Sequence, residues 1–225
     1  MSYPLILTLL APLTIAVGLL LLKNPGLTFG LFYGVVCIPL PVIDLFIRQK
    51  LSLRDACQVL GLQHFRRSLL PGIALGIVCF TAIVLFLAIG HEALIVPERL
   101  AAITPQWRMI ERFPWMFGMV LIVVNPFVEE LFWRGYLFSK WSQHVRPRFA
   151  IAITALGYAS YHFFTTIRFF STGTALFLTS MVFLAGVVWG TCRLVSDSAW
   201  CPIISHILAD TAIVVVYVRY FLPLV

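Results

Sequence analysis

The sequence predicts an all-α fold, a polytopic membrane bundle of about seven transmembrane helices, and three observations lead there. The 225 residues are 61% hydrophobic and 11% charged, against roughly 45–50% and 25% in an ordinary soluble domain. That leaves too few polar side chains to coat a water-facing surface. Cutting the chain at its charged clusters gives seven apolar stretches, each near the roughly 20 residues that cross a hydrocarbon core. The formal charge of +7 is spread between these stretches, which fits a membrane protein and argues against a nucleic-acid partner.

The stretches run over 3–22, 27–47, 68–90, 113–138, 148–168, 173–193 and 199–220. The first has no basic segment before it and no small-x-small cleavage site after it, so it reads as a retained helix and not a signal peptide. Short cytoplasmic loops collect lysine and arginine. Arg48, Lys50, Arg54, Arg66 and Arg67 follow the second helix, and Lys140, Arg146 and Arg148 follow the fourth. Alternation then puts the N-terminus in the cytoplasm and the C-terminus outside. The 91–112 segment faces out, with balanced charge (Glu92, Glu98 and Glu111 against Arg99, Arg108 and Arg112), and its 'VPERLAAIT' stretch is expected to form an interfacial helix. Loops are short and no repeat is evident, so one integral membrane domain over 1–225 is expected. The cysteines (Cys37, Cys57, Cys79, Cys192, Cys201) are scattered without a CxxC pair and read as buried small apolar residues.

Charges at membrane depth cost a few kcal/mol or more, so each ionisable residue inside a span needs a partner or a task. These are Asp44, Glu129, Glu130, Arg134, His162, His206 and Asp210. Asp44 stands four residues before Arg48, an ordinary helical ion pair near a helix end. The other six occupy three helices. At about 1.5 Å per residue, Glu129 lies roughly 13 Å, His162 roughly 21 Å, His206 roughly 11 Å and Asp210 roughly 16 Å from the cytoplasmic ends. Three helices thus bring carboxylates and imidazoles to one layer.

Spacing divides the roles. Glu130 and Arg134 are i,i+4 with the acid first, so Glu130 has a structural partner. Glu129 points about 100° away on the same helix and is free to face the interior, where a carboxylate beside an imidazole can act as a general base. His206 and Asp210 share a face at i,i+4.

The strings 'EELFWR' (Glu129 to Arg134), 'YASYH' (Tyr158 to His162) and 'HILAD' (His206 to Asp210) resemble, in order, the EExxxR, FxxxH and HxxxN/D motifs of the CAAX protease and bacteriocin-processing (CPBP) family of intramembrane glutamic endopeptidases. The motif-bearing core is about 113–220, and the three N-terminal helices match only in hydropathy. The second motif departs from the family, with Tyr158 in place of phenylalanine. The resemblance implies peptide-bond hydrolysis within the membrane, on a membrane-associated protein or peptide tail. Glu129 and His162 would hold and activate water, His206 with Asp210 would stabilise the oxyanion, and Glu130 with Arg134 would hold the helix. The added hydroxyl of Tyr158 is placed to bond the imidazole one turn on. No cofactor is implied. A leader, bacteriocin precursor or sorting tail is the expected substrate of a bacterial inner-membrane member.

Other chemistries fare less well. 'HEALI' at His91 fails the HExxH pattern, GxSxG is absent, and no aspartate pair occupies neighbouring spans. Glu129, His162 and His206 would make a catalytic zinc set, which keeps a zinc metalloprotease as an alternative. A proton- or cation-coupled transporter could use the same six residues, but the chain is small and lacks an internal repeat. A membrane scaffold or immunity factor with this fold and no activity is a third reading. No sequence feature specifies an oligomeric state.

Overall fold

The computed structural model describes residues 2–94, 96, 98–99, 102 and 114–221. Eight helices run through them in order: α1 (residues 2–21), α2 (Pro25–Arg48), α3 (Leu53–Val59), α4 (Phe65–Leu94), α5 (residues 114–142), α6 (Pro147–Phe169), α7 (Thr172–Ser196) and α8 (residues 200–221). No strand occurs among the described residues. The expected interfacial helix falls within 91–112, and residues 103–113 lie outside the described residues.

Helix ends follow local chemistry. Asn24 accepts the Leu27 amide before Pro25, Ser52 accepts the Asp55 amide, and Ser171 accepts the Thr174 amide, each satisfying an otherwise orphaned donor of the first turn. Residues in the left-handed region break the chain between helices: Lys23, Lys50, His64 and Asp197. Gly61 also turns left-handed (φ 72°), and a Cβ there would meet Arg193 Nε at 2.5 Å. Only glycine satisfies both demands.

α1, α2, α4, α7 and α8 are long and apolar enough to cross a membrane. α5 and α6 are the other long helices, and they carry the first two motifs. Leucine, isoleucine and valine stay exposed along the outer faces, as at Leu13, Ile77, Leu85, Ile89 and Leu184. This inverts the soluble pattern because lipid, not water, surrounds the bundle.

α4 packs along α8, and α6 packs against both α7 and α1. Small residues permit the approach, since Cβ atoms at Gly186 and Gly190 would come within 3.0 Å of Ala155 and 2.8 Å of Ile151. Aromatic rings fill the centre: Phe32, Trp133, Tyr136, Tyr158, Tyr161 and Trp189 are all buried. Within α5 the backbone widens into π turns over Leu131–Leu137, directly after Glu129 and Glu130. Here the segment accommodates Phe132, Trp133 and Tyr136 while Gly135 lies against the Leu60 carbonyl, where a Cβ would stand 2.8 Å away.

Asp44 is not the simple interfacial pair that its spacing predicts. Arg48 Nη1 stands 3.6 Å from Asp44 Oδ1, but Lys140 Nζ of α5 reaches Oδ2 at 2.6 Å. Tyr136 and Gln49 also donate to Oδ2, at 2.8 Å and 2.7 Å. The carboxylate is a buried junction between α2 and α5.

Candidate active site

Glu129 and Glu130 sit side by side on α5, 2% and 0% exposed, and diverge as helical phase requires. Glu130 Oε1 accepts from Arg134 Nη1 at 2.9 Å. The guanidinium is fully buried and lies over the rings of Tyr158 and Trp189, at 4.3 Å and 5.2 Å from their centroids. Stacked aromatic faces and an ion pair together offset its desolvation.

The same Glu130 oxygen lies 2.9 Å from His206 Nδ1. Glu130 therefore joins α5 to α8 as well as holding Arg134, a contact that helical spacing could not reveal. Because Glu130 Oε1 also accepts from Arg134, the ring is the donor, from Nδ1. Nε2 then faces Asp210 Oδ1 at 3.5 Å and the Tyr158 hydroxyl at 3.4 Å. The closer acceptor orienting His206 is Glu130 and not Asp210. Trp189 stacks on the imidazole (centroids 4.5 Å apart, 25° between planes), and its own indole N–H donates to buried Ser205 at 2.9 Å.

His162 is oriented by its own helix: Nδ1–H donates to the Tyr158 carbonyl at 2.9 Å. In the neutral ring that leaves Nε2 as a bare acceptor. The ring rests against Tyr158 and Tyr161, at 4.5 Å and 4.2 Å. Tyr158 thus serves His162 through its carbonyl, while its hydroxyl points to His206, which corrects the expectation that the hydroxyl bonds the imidazole of its own motif.

Glu129 Oε2 and Glu130 Oε2 are both buried with no hydrogen-bond partner among the described residues, but Glu130 is held through its other oxygen by Arg134 and His206. The Tyr161 hydroxyl interacts with the Glu129 carboxyl, although no bond of ordinary geometry satisfies that hydroxyl among the described residues. Asp210 is held from its other oxygen by Asn125 Nδ2 at 2.8 Å. Arg193 pairs with Asp197 at 2.8 Å.

Asn125, Tyr161, Trp189 and Ser205 were not singled out from the sequence. Uncharged polar and aromatic residues are common in membrane helices, and only Asn125, an amide inside a span, gave any signal. No three His, Cys, Asp or Glu side chains among the described residues are grouped to hold a metal. Both nitrogens of His206 already face other groups, so a zinc set of Glu129, His162 and His206 would require that ring to leave Glu130 or turn from Asp210.

A helical membrane protein that gathers three carboxyl groups around two imidazoles, with Glu129 Oε2 and Glu130 Oε2 left without partners among the described residues, belongs to the class of membrane-embedded proteins with a buried polar centre. Residues 111–212, which contain all three motifs, match the family model for type II CAAX prenyl endopeptidase, Rce1-like, so this motif-bearing part of the chain is similar to that family. No curated protein and no solved structure matches the chain.

Proposed function

We propose that the chain is a glutamic intramembrane endopeptidase, using Glu129 and His162 to activate water against a peptide bond of a membrane-associated protein or peptide tail. The observation that carries this reading is the buried Glu129 carboxyl, whose Oε2 has no hydrogen-bond partner among the described residues and whose neighbour is the Tyr161 hydroxyl. A buried polar atom without a partner costs about 1–3 kcal/mol, and here a water molecule can satisfy both.

That water would donate one hydrogen to Glu129 and the other to the bare Nε2 of His162, leaving its lone pair for the scissile carbonyl. As the oxygen–carbon bond forms, Glu129 takes the proton, and it returns that proton to the amine nitrogen as the carbon–nitrogen bond breaks. Negative charge gathers on the carbonyl oxygen. Protonated His206 supplies the donor there, held from Nδ1 by Glu130 and flanked at Nε2 by Asp210. A preorganised donor of this kind contributes roughly 10²–10³ in rate. Asp210 itself accepts only, so it acts through the ring.

The reading needs no metal. Purified protein should cleave a farnesylated peptide ending in a CAAX sequence after chelation, whereas Glu129→Gln should lose about 10²–10⁴-fold in kcat at normal yield. Activity lost to a chelator and restored by zinc would favour the metalloprotease instead. The site is assigned to the cytoplasmic side of a bacterial inner membrane, on the basic loops. A reporter after Lys50 should read cytoplasmic and one at Glu98 external, and the same side for both would refute the orientation.

A further inference from the structure

The family match begins at residue 111, but the polar chain of the site does not stop there. From His206 it passes to Asp210, from Asp210 Oδ2 to Asn125 Nδ2, and from Asn125 Oδ1 to the hydroxyl of Tyr33 on α2. The donor order is self-consistent. An ionised carboxylate only accepts, so the amide nitrogen of Asn125 must face Asp210, and its oxygen then needs a donor on the far side. The Tyr33 hydroxyl is that donor. A flipped amide would set oxygen against carboxylate. Asn125 is 8% exposed, and Phe29 and Phe32 pack against the Tyr33 ring at 6.1 Å and 5.0 Å.

We propose that Tyr33 and Asn125 are positioning residues of the hydrolytic reaction, with Tyr33 fixing the Asn125 carboxamide and Asn125 pinning one oxygen of Asp210 so that the other stays turned to His206 Nε2. This rests on the reading of His206 and Asp210 as the oxyanion side of the site. It also gives the N-terminal helices a part in the chemistry: α2 delivers a hydroxyl that the matched segment lacks. Both are placed to act through Asp210.

The test is a set of coupled variants of the full chain, purified in detergent, assayed for kcat and KM on a farnesylated CAAX peptide and for thermal melting. Asn125→Leu should lower kcat by about 10- to 100-fold with KM within about twofold, a loss no larger than that of an oxyanion donor. Tyr33→Phe removes a single oxygen and should cost about 3- to 10-fold, and the double variant should be no worse than Asn125→Leu, as residues acting in series are not additive. In an Asp210→Ala background, Asn125→Leu should change kcat by less than about twofold. Wild-type kcat in both single variants would overturn the proposal, as would losses that multiply in the Asp210→Ala background or that merely follow a fall in melting temperature. Glu129→Gln is measured alongside. If it cleaves normally, the glutamic reading fails, while the coupling of Tyr33, Asn125 and Asp210 is read separately from their own cycle.

Discussion

Asp44 and Glu129 are both nearly inaccessible, 3% and 2% exposed, and yet they are opposite kinds of buried acid. Asp44 is saturated. Lys140, Tyr136 and Gln49 converge on one oxygen and Arg48 stands near the other, so its charge is matched and no room for a further ligand is implied. Glu129 has an oxygen with no partner, on the helix whose next residue, Glu130, is bound by both Arg134 and His206. Burial therefore does not separate structural acids from reactive ones in this bundle. Pairing does: a carboxyl held against cations ties helices together, and one without such a partner stores an unmet demand that water or substrate can fill.

That comparison can be broken most severely at Glu130. Glu130→Gln leaves the buried Arg134 without its counter-charge and weakens the hold on His206, a loss of about 3–5 kcal/mol for a broken buried pair. Folded protein recovered from membranes should fall sharply, whereas Glu129→Gln should be recovered at the wild-type level. Equal recovery of the two variants would remove the distinction between paired and unpaired acids.

A smaller effect is expected at Asp210. Asp210→Ala should reduce kcat by about 10²-fold, comparable to losing an oxyanion donor, and Asp210→Asn by about tenfold, since Glu130 still orients the ring from Nδ1. Cleavage by the two variants at matched protein concentration checks this, and an asparagine variant as inactive as the alanine one would show that the negative charge itself is required. The smallest effect on catalysis should come from Asp44→Asn, which keeps the shape and some of the hydrogen bonds. It should cost about 1–3 kcal/mol of stability, seen as a lower melting temperature, with kcat per folded molecule changed by less than about twofold. A large kcat loss there would mean that the two acid clusters are coupled through α5.

Much of this was legible in the chain itself. Composition and the length of the apolar runs determined an all-helical membrane bundle, because a segment in lipid must satisfy its own backbone. Helical phase separated Glu129 from Glu130, and the order of the three motifs pointed to the family whose model matches residues 111–212. Periodicity reports only which residues share a face of one helix, so every bond between helices was beyond it. Packing alone decided that Lys140 joins Arg48 at Asp44, that Glu130 reaches His206, and that the Tyr158 hydroxyl turns to His206 and not His162. It also brought Tyr33, 92 positions before Asn125, into the polar chain behind Asp210. The sequence named the charged residues because lipid makes each one costly. Which of them meet depended on how the aromatic and small side chains between the helices fit.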